Sequence, residues 1–268
     1  MPSDHTLTYS NYLRLDQILS AQHPLSKNAS GEAEHDELLF IIIHQVFELW
    51  FKQLLHELDY ACLHIRDSEL GAALHVLKRV RSIVKVMVSQ VDVLETMTPL
   101  EFSAFRSRLD QASGLQSFQF REVEFLLGFK RTSVLARYPE GSEAHEKLIK
   151  RLNAPTLWDV FLSFLAQRNY EVPAEVLNRE VTEPVEPCEG VVEILEQVYR
   201  SDPEAVQLCE SLTDLDEGIQ EWRYRHIKMV QRTIGMKMGT GGSAGAPYLM
   251  ATLDNPFFPD LWNVRSRL

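Results

Sequence analysis

Cysteine is scarce in this chain: three in 268 residues, Cys62, Cys188 and Cys209, odd in number, widely spaced and without a C-x-x-C pair. That excludes a disulfide framework and a zinc knuckle and fits a reducing compartment. Basic charge is also short, with 27 Lys and Arg against 38 Asp and Glu and a formal net charge of -11. A surface of that sign repels phosphate backbones and anionic headgroups, so neither nucleic acid nor a membrane is the expected partner. Long hydrophobic runs are missing too. The longest, Leu38 to Ile43, falls well below the roughly 20 apolar residues of a spanning helix. Met1-Pro2-Ser3-Asp4-His5 carries neither the basic nor the apolar part of a secretory signal, and the expected location is the cytoplasm. Strand-like alternation is scarce, and internal repeats and low-complexity tracts are not found.

Helical periodicity is abundant. From Asp36 to about Arg66, Phe40, Ile43, Phe47, Phe51, Leu54, Leu55 and Leu58 recur at spacings of three and four, with Asp36 and Glu37 in the first turn, where acids favour the helix dipole. Glu69 to Thr96 repeats the pattern through Leu70, Leu74, Leu77, Val80, Val84, Met87, Val91 and Leu94. The short connection makes these two helices antiparallel neighbours. Further helices are predicted at Pro99 to Leu109, Gln116 to Leu127, Glu143 to Leu152, Leu157 to Arg168, Val191 to Arg200 and Pro203 to about Met236. Val181 to Gly190, acidic and holding Pro184 and Pro187, reads as a surface excursion. The expected fold is all-α: one single-domain helical bundle over residues 1–268, built on long antiparallel helices and large enough to bury a substantial core.

Two histidines interrupt apolar stripes. His44 stands one turn after Phe40 and one before Phe47; an imidazole buried there needs a hydrogen bond, as a core residue or as part of a site. His226 repeats the situation in line with Ile219, Trp222, Met229, Val230 and Thr233. Two such histidines on separate helices suit a shared site. One neutral imidazole projecting into an apolar slot is also what a haem iron needs as its protein ligand, although spacing alone does not select haem. Arg106 follows Phe102 and Phe105 and precedes Leu109. Its guanidinium can leave an aromatic wall to grip a carboxylate with two hydrogen bonds, or can lie along the surface.

Gly239-Thr240-Gly241-Gly242-Ser243-Ala244-Gly245 matches several motif templates at once. As a dinucleotide fingerprint it fails on context, because Val230 to Lys237 continues a helix where a strand is required. As a nucleophile elbow it fails on order, because no histidine follows Ser243. What remains is a glycine loop whose N–H groups and Thr240 hydroxyl can wrap an anion, or a plain surface loop. His56-Glu57 lacks the second histidine of H-E-x-x-H, since position 60 is Tyr60, and His35 with Glu37 diverges at a helix start.

Taken together, these segments resemble tryptophan 2,3-dioxygenases along nearly the whole chain. The resemblance is carried by Tyr9-Ser-Asn-Tyr12-Leu13-Arg-Leu-Asp16 with Ala21-Gln-His-Pro24-Leu-Ser26, and by His35-Asp-Glu-Leu-Leu-Phe40-Ile-Ile-Ile-His44-Gln45 with Glu48-Leu-Trp50. It continues in Leu94-Glu-Thr-Met-Thr-Pro99 with Phe102 and Phe105-Arg106, Ala112-Ser-Gly-Leu-Gln-Ser117, Trp222-Arg-Tyr-Arg-His226 and Gly239-Thr-Gly-Gly-Ser243. The family pattern departs at Leu115, where an aromatic is usual, and at Gln111, where proline is common.

The resemblance implies a helical bundle enclosing a haem b, one per chain, with His226 as the axial iron ligand and His44 facing the indole nitrogen. Arg106 and Thr240 would hold the substrate carboxylate. Phe40, Phe102 and Leu109 would line the indole pocket, with Ser113 and Gly114 near the haem edge. Members are tetramers in which residues corresponding to 1–25 reach a neighbouring subunit, so Tyr9, Tyr12 and Leu13 would complete a neighbour's pocket. The implied reaction inserts both atoms of O2 across the indole C2–C3 bond of L-tryptophan, giving N-formylkynurenine on the kynurenine route. Two alternatives stand beside it: one-oxygen transfer to tryptophan or a methylated tryptophan, giving an oxindole, and a non-catalytic haem sensor. The sensor would need His226 but not His44, Arg106 and Thr240 as well.

Overall fold

The computed structural model describes residues 6–239, 245–253 and 255–268. The fold is all-α. Its helices are α1 (Tyr9–Tyr12), α2 (Leu15–Ile18), α3 (His35–Arg66), α4 (Leu70–Leu94), α5 (Pro99–Arg106), α6 (Phe118–Leu127) and α7 (Glu143–Leu152). They continue as α8 (Leu157–Gln167), α9 (Ala174–Leu177), α10 (Glu189–Ser201), α11 (Pro203–Ile234), α12 (Ala246–Met250) and α13 (Pro259–Asn263). Among the described residues the only β pairing is an isolated bridge between Lys27 and Ala33.

Local chemistry explains where the main helices begin and end. α3 starts with Asp36 and Glu37 in its first turn and closes with His64 and Arg66 in its last, both favourable to the dipole. Ser68, at φ 59°, then turns the chain directly into α4. Thr98 and Glu101 form a reciprocal capping box on α5 with Pro99 at the first turn, and Thr156 and Asp159 do the same for α8. Asp202 accepts from the Ala205 N–H at 3.1 Å and starts α11.

Three long helices form the frame. Gln90 donates to the Ile43 carbonyl at 3.1 Å, and Arg79 bonds Glu57 at 2.8 Å, so late α4 meets early α3 and the two run antiparallel. Arg225 meets Asp92 at 2.5 Å, Arg232 meets Glu95 at 2.8 Å, and Arg81 pairs with Asp214. The sequence numbers rise together in these pairs, so α11 runs parallel to α4 and opposite to α3. The pairs record register more than energy, since exposed ion pairs contribute roughly 0–1 kcal/mol. The core lies between the three: Leu58, Ala61 and Ile65 of α3, Val80 and Val84 of α4, and Leu208, Leu212 and Leu215 of α11 are buried. Each large aliphatic side chain buried there contributes about 1.5–3 kcal/mol. By length and composition α3 could also cross a membrane; here it is a core helix whose inner face packs on α4, α6 and α8.

Several boundaries differ from the periodicity. The expected helix from Pro99 to Leu109 stops at Arg106: the N–H groups of Arg108 and Leu109 bond carbonyls three residues back, and Asp110 at φ 47° ends the winding. The expected helix from Gln116 is split into a 3-10 turn, Gly114–Gln116, and α6, which Ser117 caps through the Phe120 N–H. The early helices α1 and α2 and the late α13 have four or five residues each and too few turns to leave a period. The segment holding α13 is pinned instead by buried Asp216 on α11. Its carboxylate accepts from the Phe257 and Phe258 N–H groups, both at 3.1 Å, and from the Trp262 indole at 3.0 Å.

Candidate functional site

On α3 the spacing of four, three and four places Phe40, His44, Phe47 and Phe51 on one face, and all four line a single cavity. α11 supplies Trp222, His226, Met229 and Val230 from the opposite side. Phe102 and Arg106 of α5 close one end, with Leu109, Ser113, Gly114 and Leu115 from the turn that follows. The cavity encloses about 1420 Å³ of empty space, counting its open mouth.

The hydrogen bond that the sequence demands for His44 is present. Nδ1 lies 2.7 Å from the Phe40 carbonyl. A carbonyl only accepts, so Nδ1 carries the proton and the neutral ring keeps Nε2 as an acceptor. Burial, foremost, holds the pKa of His44 below its ordinary value. The ring packs on Phe40 with centroids 4.1 Å apart.

His226 is more strongly perturbed: burial first, then its interaction with His44 and with the Arg121 guanidinium, lowers its pKa to about 4. Its imidazole is neutral at physiological pH and available as a ligand. Among the described residues nothing donates to or accepts from its ring nitrogens. The Trp222 ring stacks on it with centroids 5.6 Å apart.

Arg106 is half-buried and faces the cavity, with Nη2 donating to the Met238 carbonyl at 2.6 Å. The aromatic wall behind it is real: Phe40, Phe102 and Phe105 meet with centroids 5.3–5.8 Å apart. Ser113 spends its hydroxyl on the Leu115 N–H. A side chain on Gly114 would meet no atom within 4 Å, so this turn borders open space. Of the glycine run, Gly239 and Gly245 line the cavity, whereas Thr240 lies outside the described residues. Gly245 sits at φ +66°, and a Cβ there would stand 2.6 Å from the Lys237 carbonyl, which restricts the position to glycine. Tyr9, Tyr12 and Leu13 are not brought to this chain's cavity; Tyr9 is 76 % and Tyr12 68 % exposed on α1.

Two parts of the site escape periodicity. One is a charged end, where buried Glu124 holds Arg121 at 2.5 Å, Arg131 at 3.0 Å and Arg223 at 3.3 Å. Its signal is the pair Arg121 and Glu124 inside an otherwise apolar α6, since charges at such positions are seldom buried unless paired. The other is the aromatic clamp on Trp222, built from Phe47, Phe51 and Phe120 with centroids 5.0–5.9 Å away. The dismissed His56-Glu57 pattern ends in an ion pair of Glu57 with Arg79. Among the described residues no three His, Cys, Asp or Glu side chains cluster as metal ligands.

A protein-family model described as tryptophan 2,3-dioxygenase matches residues 2–156 and 135–268. A tryptophan 2,3-dioxygenase of Herpetosiphon aurantiacus is 53% identical over 262 residues, covering 98% of each chain. One from Anaeromyxobacter sp. (strain K) is 54% identical over 269 residues, covering 100% of this chain and 99% of the relative. One from Arthrobacter sp. (strain FB24) is 43% identical over 265 residues, covering 98% and 92%. With both ends of the chain, the two-histidine cavity and the glycine run inside these matches, the protein belongs to the tryptophan 2,3-dioxygenase family.

Proposed function

We propose that the chain binds one haem b through His226 and inserts both atoms of O2 across the indole C2–C3 bond of L-tryptophan, giving N-formylkynurenine for tryptophan degradation. One observation carries this reading: two neutral imidazoles, His44 and His226, approach a single aromatic-walled cavity from antiparallel helices, and Arg106 reaches the same space.

The donor set fits haem. His226 offers a deprotonated nitrogen with no competing hydrogen bond, and the open space beside Gly114 suits a macrocycle edge. Arg121 and Arg223 at the charged end suit propionates, and the Arg121 Nε is buried without a partner. When bound, the haem supplies the iron that activates O2. The protein does the rest. Phe40, Phe102 and Leu109 hold the indole and exclude water, while the Nε2 of His44 accepts the indole N–H. Arg106 receives the carboxylate, with Thr240 adding its hydroxyl; a charge-assisted bond of this kind contributes roughly 1.5–3 kcal/mol. Ser113 and Gly114 border the haem edge. Together these contacts fix the indole relative to the iron.

The active form is a homotetramer of single-domain chains in the cytoplasm, in which the 1–25 segment carries Tyr9, Tyr12 and Leu13 to a neighbour's pocket. Exposed Tyr9 and Tyr12, with Leu38, Ile42 and Leu49 on the outer face of α3, support an interface between copies. The three cysteines are unpaired, as a reducing compartment favours. No nucleic acid or membrane takes part in this reading.

The test is product mass spectrometry after turnover of L-tryptophan under isotopically labelled O2. Two labelled atoms in a ring-opened product are expected. One labelled atom would reveal oxindole formation, and none would leave a haem-binding protein without this activity; either result defeats the proposal.

A further inference from the structure

Trp222 has no role in holding substrate or haem as proposed, yet its ring stacks on that of His226. It precedes the histidine by one helical turn, is 8 % exposed, and lines the same cavity. The two rings are nearly parallel, 9° apart, with centroids separated by 5.6 Å. Side chains at this spacing meet on the surface of a helix. The indole is itself immobilised: Phe51 stands edge-on to it at 5.8 Å and 87°, Phe47 at 5.9 Å and 68°, and Phe120 leans on it at 5.0 Å and 55°. These clamps come from α3 and α6, two elements outside the helix that carries the histidine.

Two absences give this stack its meaning. A ligating histidine usually donates its second ring N–H to a carbonyl or carboxylate, and that bond fixes the plane of the ring. Among the described residues His226 has no such acceptor, so contact must restrict its rotation. The Trp222 indole N–H is also buried without a hydrogen-bond partner. Among the described residues no hydrogen bond holds the indole, so its position is set by the packing of rings around it. What the residue provides is a broad flat face against the imidazole.

We propose that Trp222 is a positioning residue which sets the imidazole plane of His226 by stacking, in the place of a second-partner hydrogen bond; this rests on His226 holding a haem. Phe47, Phe51 and Phe120 act through Trp222 by denying it alternative rotamers.

The experiment uses the full-length haem protein and two readouts other than turnover: the ferrous iron–imidazole stretching band in resonance Raman spectra, and the rate of haem transfer to a scavenging apoprotein. In Trp222→Leu the band should broaden or shift and haem loss should accelerate at least tenfold. In Trp222→Phe, which keeps an aromatic face, both should stay near the parent. A Trp222→Leu protein with the parent band and rate overturns the inference, and so does a Trp222→Phe protein as impaired as Trp222→Leu. If Trp222→Leu does not fold, Phe47→Leu with Phe120→Leu loosens the clamp while keeping the indole. That variant should broaden the band, and an unchanged band is equally fatal. A parent without any iron–imidazole band defeats the haem reading along with this one, whereas a normal parent band with insensitive Trp222 variants defeats this one alone.

Discussion

Through Nη2, the guanidinium of Arg106 donates to the main-chain carbonyl of Met238 at 2.6 Å, tying α5 to the residue just ahead of the glycine run. One side chain therefore has two tasks: part of its fork anchors the chain entering Gly239, and its remaining N–H groups are left to address a substrate. Lysine keeps the charge but not the fork. Arg106→Lys should raise KM for tryptophan about 10- to 100-fold, the equivalent of losing one charge-assisted bond, with haem content unchanged. Steady-state kinetics beside haem quantification checks this, and an unaltered KM in Arg106→Ala would remove the residue from the site.

His44 is expected to orient the indole rather than to deprotonate it. The indole N–H is a very weak acid, and burial leaves the His44 imidazole less basic than an ordinary histidine. His44→Ser should keep measurable ring cleavage, with kcat/KM lower by about one to two orders of magnitude, the cost of one hydrogen bond. 1-Methyltryptophan should be a poor substrate for the parent, because its methyl group meets Nε2. Complete loss of turnover in His44→Ser, with haem and tryptophan still bound, would instead make His44 an obligatory base.

Asp216 anchors the C-terminal segment from a fully buried position. Its removal orphans two buried main-chain N–H groups and releases the partly exposed Trp262 indole N–H. Asp216→Ala should cost roughly 2–6 kcal/mol, at about 1–3 kcal/mol for each of the two buried main-chain donors left unpaired, read as a lower denaturation midpoint. A midpoint equal to the parent's would mean that the 257–262 segment holds without this anchor.

Asp260, at the start of α13, carries a pH-dependent cost. Burial, foremost, raises its pKa to about 6; one oxygen accepts from the Cys188 N–H at 2.9 Å and the other has no partner. The folded state therefore binds the proton more tightly than the unfolded chain, whose value is near 3.8. Stability falls as pH rises from about 4 to 6, and the carboxylate costs up to about 3 kcal/mol at pH 7. Asp260→Asn should be more stable than the parent at pH 7, with the gain gone below pH 4. A gain independent of pH would contradict this account.

Removal of residues 1–20 should lower activity more than haem content and weaken self-association, since the exposed Tyr9 and Tyr12 would leave with the segment. Light scattering and specific activity on one sample check both. A monomeric, fully active truncation would return that segment to a purely local role.

The long helices were legible because their causes are local. An apolar residue every third or fourth position, Thr98 three residues before Glu101, Thr156 three before Asp159, and Pro203 opening a helix each act within one or two turns. His44 and His226 stood out for the same reason, as imidazoles on apolar stripes, and their family context named partners such as Arg106. Whether those two histidines share a cavity was decided by the register of α3 against α11, a property of packing between segments far apart in the chain. The Arg223–Glu124 pair spans 99 residues, and Arg106–Met238 spans 132. No periodicity encodes such contacts. The Trp222–His226 stack lies between: its spacing is visible in the sequence, but every helix repeats that spacing. Only the aromatic clamp brought from α3 and α6 turned it into a fixed geometry, because a single helical turn cannot by itself confine a side-chain rotamer.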